Sequence, residues 1–164
     1  TLAAHTPQEH GECGPLERYR ATRTPGRGVT RGWLGVVSAA HVRRGVELGI
    51  AQINHGKHAP HARMHAGDTL IYYSPTEQRG ARTPYQHFTA IGSLPDDDIW
   101  QADEGSFKPF RRRIDYLPGN PPPLDALRAR LHLTQEANWG YQLRYGLIPL
   151  DTHDVQTIRE AMGI

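Results

Sequence analysis

Four histidines, His55, His58, His61 and His65, fall within a dozen positions in the stretch INHGKHAPHARMHAGDTLIYYSP, residues 53–75. Three neutral imidazoles and an open water position make a catalytic zinc site. His61 and His65, spaced i,i+4, can share one helix face. The remainder of the stretch argues against that chemistry. It carries no HExxH motif, Pro60 separates His58 from His61, and no Asp or Glu general base lies inside the cluster. The expectation is a loop with some histidines facing phosphate, with no metal and no other cofactor.

Aromatic and basic side chains offer a different chemistry, the binding of bases and phosphates. Trp33 lies in an apolar run and reads first as core, with a ligand platform as its second role. Trp100, after an acidic turn, reads as a satellite core residue. Trp139, in the polar context ANWGYQ, suits either a half-exposed stacking platform or the core, and both roles stay open. Tyr72 and Tyr73 are neighbours in one extended run, so they face opposite ways and at most one lines a given pocket. Tyr73, beside Ser74 at the end of the run, is the candidate. Arg111, Arg112 and Arg113, with Lys108 and Arg144, form either a solvated basic face or a set of phosphate contacts. Strand alternation sends Arg111 and Arg113 one way and Arg112 the other.

The whole chain sets bounds on these options. At 164 residues it fits one domain. The 37% hydrophobic share is enough for a packed core, while 17 Gly and 13 Pro point to many turns. A net charge of +2 is too mild for a non-specific nucleic-acid coat, so any nucleic acid must be held at a local site. The single Cys13 allows no internal disulfide and no CxxC metal site, which favours a reducing, cytoplasmic setting. No apolar run approaches the roughly 20 residues of a membrane span, and no signal-peptide core is visible, so no membrane partner is expected.

Residues 1–30 are polar, carry Pro and Gly and show no hydrophobic period, and they read as an extension or linker before a domain over residues 31–164. Trp33 to Val37 predicts a buried strand. Ser38 is a natural N-cap, with Val42, Val46 and Leu48 marking a short helix that Gly49 ends. IAQIN is a short extended piece. Pro60 suits the first turn of a short helix that Gly67 stops. Thr69 to Ser74 is β-branched and aromatic, hence a strand. HFTAIGSL, a piece around Ile99 and Trp100, and FKPFRRRIDYL read as further strands. PLDALRARLHL predicts an amphipathic helix with Leu124, Leu127 and Leu131 on one side. A strand at Leu147 to Leu150 and a last helix follow, the helix capped by Asp151 or Thr152, apolar at Val155, Ile158 and Met162, and stopped by Gly163. Strands mixed with short helices, without regular βαβ alternation, predict an α+β fold with a small, curved, mostly antiparallel sheet or barrel.

Taken in order, WLGVVS, GIAQINHGKHAPHARMHAGDTLIYYSP, FTAIG, FKPFRRRIDYL and NWGYQLRYGLIPL resemble the EVE domain, a PUA-like relative of YTH domains. The resemblance runs from about Arg31 to Met162. It implies a compact, twisted, β-barrel-like sheet flanked by short helices. It also implies a non-catalytic reader that takes a modified base, flipped from DNA or RNA, into a pocket beside the sheet. Carried over position by position, the pocket would use Ser38, Gln52, Asn54, His55, Tyr73, Ser74 and Trp139, with Trp33 nearby. Lys57 and Arg144 would serve the backbone or base edge. Where YTH domains place a cage tryptophan, this chain has Ala51 and Gln52. That departure argues against N6-methyladenine and for a ligand read by hydrogen bonds, such as a modified cytosine. Two rivals remain: a nucleotide- or RNA-modifying hydrolase built on the histidine stretch, and a small-molecule or protein-interaction module.

Overall fold

The computed structural model describes residues 30–164; the expected extension, Cys13 included, lies outside the described residues except for Thr30. Among the described residues eight strands form two sheets. They are β1 (Gly32–Val36), β2 (Ile50–Ala51), β3 (Thr69–Thr76), β4 (Pro84–Ser93), β5 (Ile99–Gln101), β6 (Phe110–Arg113), β7 (Asp115–Leu117) and β8 (Leu147–Leu150). Five short helices accompany them: α1 (Ala39–Leu48), α2 (His58–Arg63), α3 (Leu124–Leu127), α4 (Trp139–Gln142) and α5 (Thr152–Ala161). The larger sheet has the order β7-β4-β3-β1-β8 and the smaller β2-β6-β5, so the expected α+β fold with a mostly antiparallel sheet is built from two sheets, with no closed barrel among the described residues. Every pairing is antiparallel except β1 with β3.

The five-stranded sheet is buried on both faces, and strand alternation assigns each side chain to one of them. Leu34, Ile71, Tyr73, Phe88, Ile91 and Ile148 meet Leu124, Leu127 and Leu131 and the α5 residues Ile158 and Met162. On the other face Trp33, Leu70, Tyr72, Ala90 and Leu147 meet Val42 of α1, Ala51, Ile53, Met64 and Ile114. One irregularity changes this pattern. Tyr72 pairs with Ala90 but Tyr73 with Phe88, so Thr89 is a bulge. Two apolar residues spaced by two therefore reach opposite faces.

Several elements depart from the sequence expectation. FKPFRRRIDYL divides at Ile114, whose side chain enters the core, and β6 and β7 join different sheets. The helix expected over PLDALRARLHL closes after one turn, although Leu124, Leu127 and Leu131 are all buried as the spacing implied. α2 ends at Arg63, before Gly67. Val46 and Leu48 of α1 are exposed, and so is Trp100, which is no core residue. Gly49 closes α1 in the left-handed region at φ 66°, as a C-terminal glycine does. Among the described residues no helix is long and apolar enough to cross a membrane.

Candidate functional site

β1 and β3 run parallel as neighbours, so their C-terminal ends open at the same end of the sheet. Loops leaving strand ends are where scaffolds carry binding groups. Val36, Val37 and Ser38 leave β1 there, and Pro75 and Thr76 close β3. With Gln52, Asn54, His55, His41, Arg79 and Gly80 they enclose a cavity of about 250 Å³. This lies a little below the roughly 300–1,000 Å³ of sites for drug-sized ligands.

Local chemistry holds each wall in place. Ser38 stands at the N-cap of α1 but makes no side-chain cap bond, so its hydroxyl is not spent on the helix. The amide of Val37 donates to the Tyr73 carbonyl (3.1 Å), that of Ala40 donates to Glu77 (2.9 Å), and Arg43 pairs with the Glu77 carboxylate. These contacts tie α1 to the end of β3.

Gln52 has its orientation set by a neighbour. Its Oε1 accepts from Arg111 Nε at 2.9 Å. A guanidinium has no acceptor, so the amide oxygen must face it and the NH₂ remains as the donor pair. Arg111 is itself held by Glu104 Oε1 at 2.6 Å, which also receives Arg44 at 2.9 Å. The bond from Arg111, aided by its charge and that of Arg44, keeps the Glu104 carboxyl below the usual range. Glu104, Arg111 and Gln52 therefore form one braced chain.

The turn after Gln52 is strained. Asn54, His55 and Gly56 all have positive φ, at 50°, 58° and 79°. For a non-glycine residue this region costs on the order of 1–3 kcal/mol. Tertiary contacts enforce it: Asn54 Nδ2 donates to the Tyr145 carbonyl at 3.0 Å. A Cβ on Gly56 would strike Pro109, and one on Gly146 would strike the Asn54 amide. The turn carries His55 to the cavity rim. Burial first, then the charges of Arg79, Lys57 and His41, lower the His55 pKa below its ordinary value. Among the described residues the lining carries His41, His55 and Arg79 and no carboxylate.

Ser38, Gln52, Asn54 and His55 thus come together, while the other expected residues lie elsewhere. Tyr73 is 3% exposed and packs against Phe88 on the helical face of the sheet, because the side chain of a strand residue cannot turn to both faces. Ser74 is buried with its hydroxyl on Thr89 at 2.8 Å. Trp33 is core, its indole donating to the buried Asp68 at 2.9 Å. Trp139 is half-buried against the helical-face core with the Arg128 guanidinium over its ring. Arg144 lies over the Tyr141 ring, and Lys57 and Lys108 are exposed outside the cavity lining.

The basic run departs furthest from a phosphate-binding face. Arg111 is committed to Gln52 and Glu104, and exposed Arg113 lies 3.6 Å from Asp96. Arg112 is 1% exposed and donates to three backbone carbonyls, of His61 (2.8 Å), Met64 (2.5 Å) and Asp96 (2.5 Å). Alternation separated it from its neighbours, but toward the interior. Two lining residues, His41 and Arg79, are not singled out by sequence. The signal for His41 was its place one turn after Ser38, and Arg79 sits in the polar loop after β3.

The α+β scaffold, with a hydrogen-bonding cavity at the ends of a parallel strand pair, has the PUA-like fold. The chain belongs to the EVE domain family, whose model matches residues 31–161. It is 49% identical over 130 residues to a UPF0310 protein of Renibacterium salmoninarum, covering 79% of this chain and 94% of that one. To a UPF0310 protein of Mesorhizobium japonicum it is 44% identical over 135 residues, covering 80% and 91%. Among solved structures, an NMR structure from Rhodopseudomonas palustris superposes with a TM-score of 0.53 at 18% identity, covering 82% of this chain and 94% of that one. A hypothetical protein from Leishmania major gives 0.53 at 11% identity, covering 80% and 94%. At such identities these structures share the fold.

Proposed function

We propose that the cavity receives a single modified base, unstacked from a nucleic-acid strand, and that the protein performs no chemistry on it. The observation that carries this reading is the convergence of Ser38, Gln52, Asn54 and His55 on one small cavity that, among the described residues, is lined by Arg79 and by no carboxylate. A flipped base presents a Watson–Crick edge to hydrogen-bonding groups, and its flanking phosphates suit Arg79 at the rim and Lys57 beside it. Among the described residues no Trp, Tyr or Phe lines the cavity, so a methylated amine would find no aromatic cage there. Val36, Val37 and Pro75 offer aliphatic contact instead. A modified cytosine in DNA fits this lining better than N6-methyladenine. The braced NH₂ of Gln52 would donate to an acceptor on the base edge.

The test is a fluorescence-polarisation panel of matched oligonucleotides, DNA and RNA, carrying unmodified cytosine, 5-substituted cytosines or N6-methyladenine. The expected result is at least about tenfold tighter binding of one modified cytosine, equivalent to about 1.4 kcal/mol. Equal affinity for modified and unmodified strands would remove the reading. Turnover of an oligonucleotide would favour the hydrolase reading, and the absence of nucleic-acid binding would favour a small-molecule or protein-interaction module.

A further inference from the structure

At the start of α5, away from the cavity, four metal-ligating side chains converge. Nitrogen or oxygen atoms of His132, Asp151, His153 and Asp154 lie within 4.8 Å of one another. His132 Nδ1 is 2.7 Å from Asp151 Oδ2, and His153 Nδ1 is 3.0 Å from Asp154 Oδ1. The two imidazoles stack with centroids 3.9 Å apart and planes 11° from parallel. Asp154 is 2% exposed, and its two oxygens accept the backbone N–H groups of His132 and Leu133, each at 2.8 Å. Asp151 Oδ1 caps the helix through the Asp154 N–H. A capped helix and an anchored loop account for both carboxylates. Hydrogen bonds to these carboxylates orient both imidazoles, and the result is two ring nitrogens and two carboxylates gathered at one place.

We propose that His132, Asp151, His153 and Asp154 form a binding site for a divalent transition ion of the zinc class. Imidazole with carboxylate is a donor set for zinc and its neighbours, whereas magnesium and calcium prefer oxygen alone. Zinc–ligand bonds of roughly 2.0–2.2 Å place the donors of a tetrahedral site about 3.3–3.6 Å apart. Ion binding would require the exposed His132 and His153 side chains to close the present span of up to 4.8 Å to that size. Each imidazole would move its proton to Nε2, remain neutral and ligate through Nδ1. The carboxylate oxygens keep a lone pair beyond their N–H bonds, and those bonds orient Asp154 as outer-shell partners orient metal ligands. The positive end of α5 opposes a cation, and two carboxylates within its first turn offset that field. The bound ion would tie residue 132 to the start of α5 and stabilise the native state by mass action.

The experiment is titration of the untagged full chain with Zn²⁺ and, for its spectrum, Co²⁺. The expected result is saturation at one ion per chain, visible Co²⁺ bands of low coordination number and a rise in Tm. The His132→Gln/His153→Gln variant should lose the bands and the Tm rise while keeping the metal-free circular dichroism spectrum. Asp151→Asn preserves a capping side chain and should weaken binding by roughly tenfold or more. Failure to bind Co²⁺, or a signal that survives the double histidine change and disappears when His55, His58 and His65 are replaced, would overturn the proposal.

Discussion

His55, His58, His61 and His65 are close in sequence and separate in space, whereas His132 and His153 are distant in sequence and stack ring on ring. In the first group a strained turn puts His55 at the cavity rim, and His58 packs edge-on against Phe110. His61 is fully buried, and His65 lies on the surface 3.9 Å from Asp97. The second pair meets because one buried carboxylate, Asp154, holds the loop at residues 132–133 against α5. Spacing along the chain proposes a site, but a tertiary anchor decides whether the side chains converge. The same contrast separates Arg112, drawn inward by three carbonyls, from Lys57, left exposed.

The largest effect should come from Arg112. Arg112→Ala leaves three backbone carbonyls without their donor, and the expected loss is about 3–5 kcal/mol of unfolding free energy in urea. A loss below about 1 kcal/mol would mean the guanidinium belongs to the surface after all.

His61 should give the next largest effect. Burial, reinforced by Arg112, lowers its pKa to about 4 from an ordinary value of 6.5. The unfolded chain therefore takes up the proton first. Stability from this group is present above pH 6.5 and is lost as the pH falls from there through 4, by at most about 3–4 kcal/mol. His61→Leu should flatten that part of the curve relative to the parent. An unchanged slope would place the imidazole in solvent.

Trp139→Ala should cost about 1–3 kcal/mol of stability, less than the 3–5 of a fully buried tryptophan, and leave oligonucleotide affinity unchanged. Weakened binding with intact stability would return the indole to the site. The smallest effect belongs to Lys57→Ala, with stability within about 0.5 kcal/mol of the parent. Its binding should weaken alike for all sequences, and the salt slope should fall by about 1.

The fold was legible wherever alternation or a cap is local. The strands expected at Trp33 to Val37, Thr69 to Ser74 and Leu147 to Leu150 form as Gly32–Val36, Thr69–Thr76 and Leu147–Leu150, and Asp151 caps the final helix. The bulge at Thr89 was not legible, because no residue type marks it. The division at Ile114 was also hidden, since a side chain that leaves one sheet's pattern to fill another core keeps the same apolar character. In the site, Ser38, Gln52, Asn54 and His55 were reached through the family resemblance, and the cavity brings them together. The opposite faces of Tyr72 and Tyr73 followed from strand geometry, but which face bears the cavity did not. Arg112 looked like a solvated cation because its acceptors are main-chain carbonyls at residues 61, 64 and 96, and sequence does not display backbone acceptors.

The most direct test of the central claim is an NMR titration of isotopically labelled protein with a short single strand carrying the modified cytosine selected by the oligonucleotide panel. The account predicts saturable shifts centred on Ser38, the Gln52 side-chain amide, Asn54 and His55, and their loss in Gln52→Ala with the fold retained. Shifts centred instead on Tyr141 and Tyr145, or an unchanged response in Gln52→Ala, would contradict it.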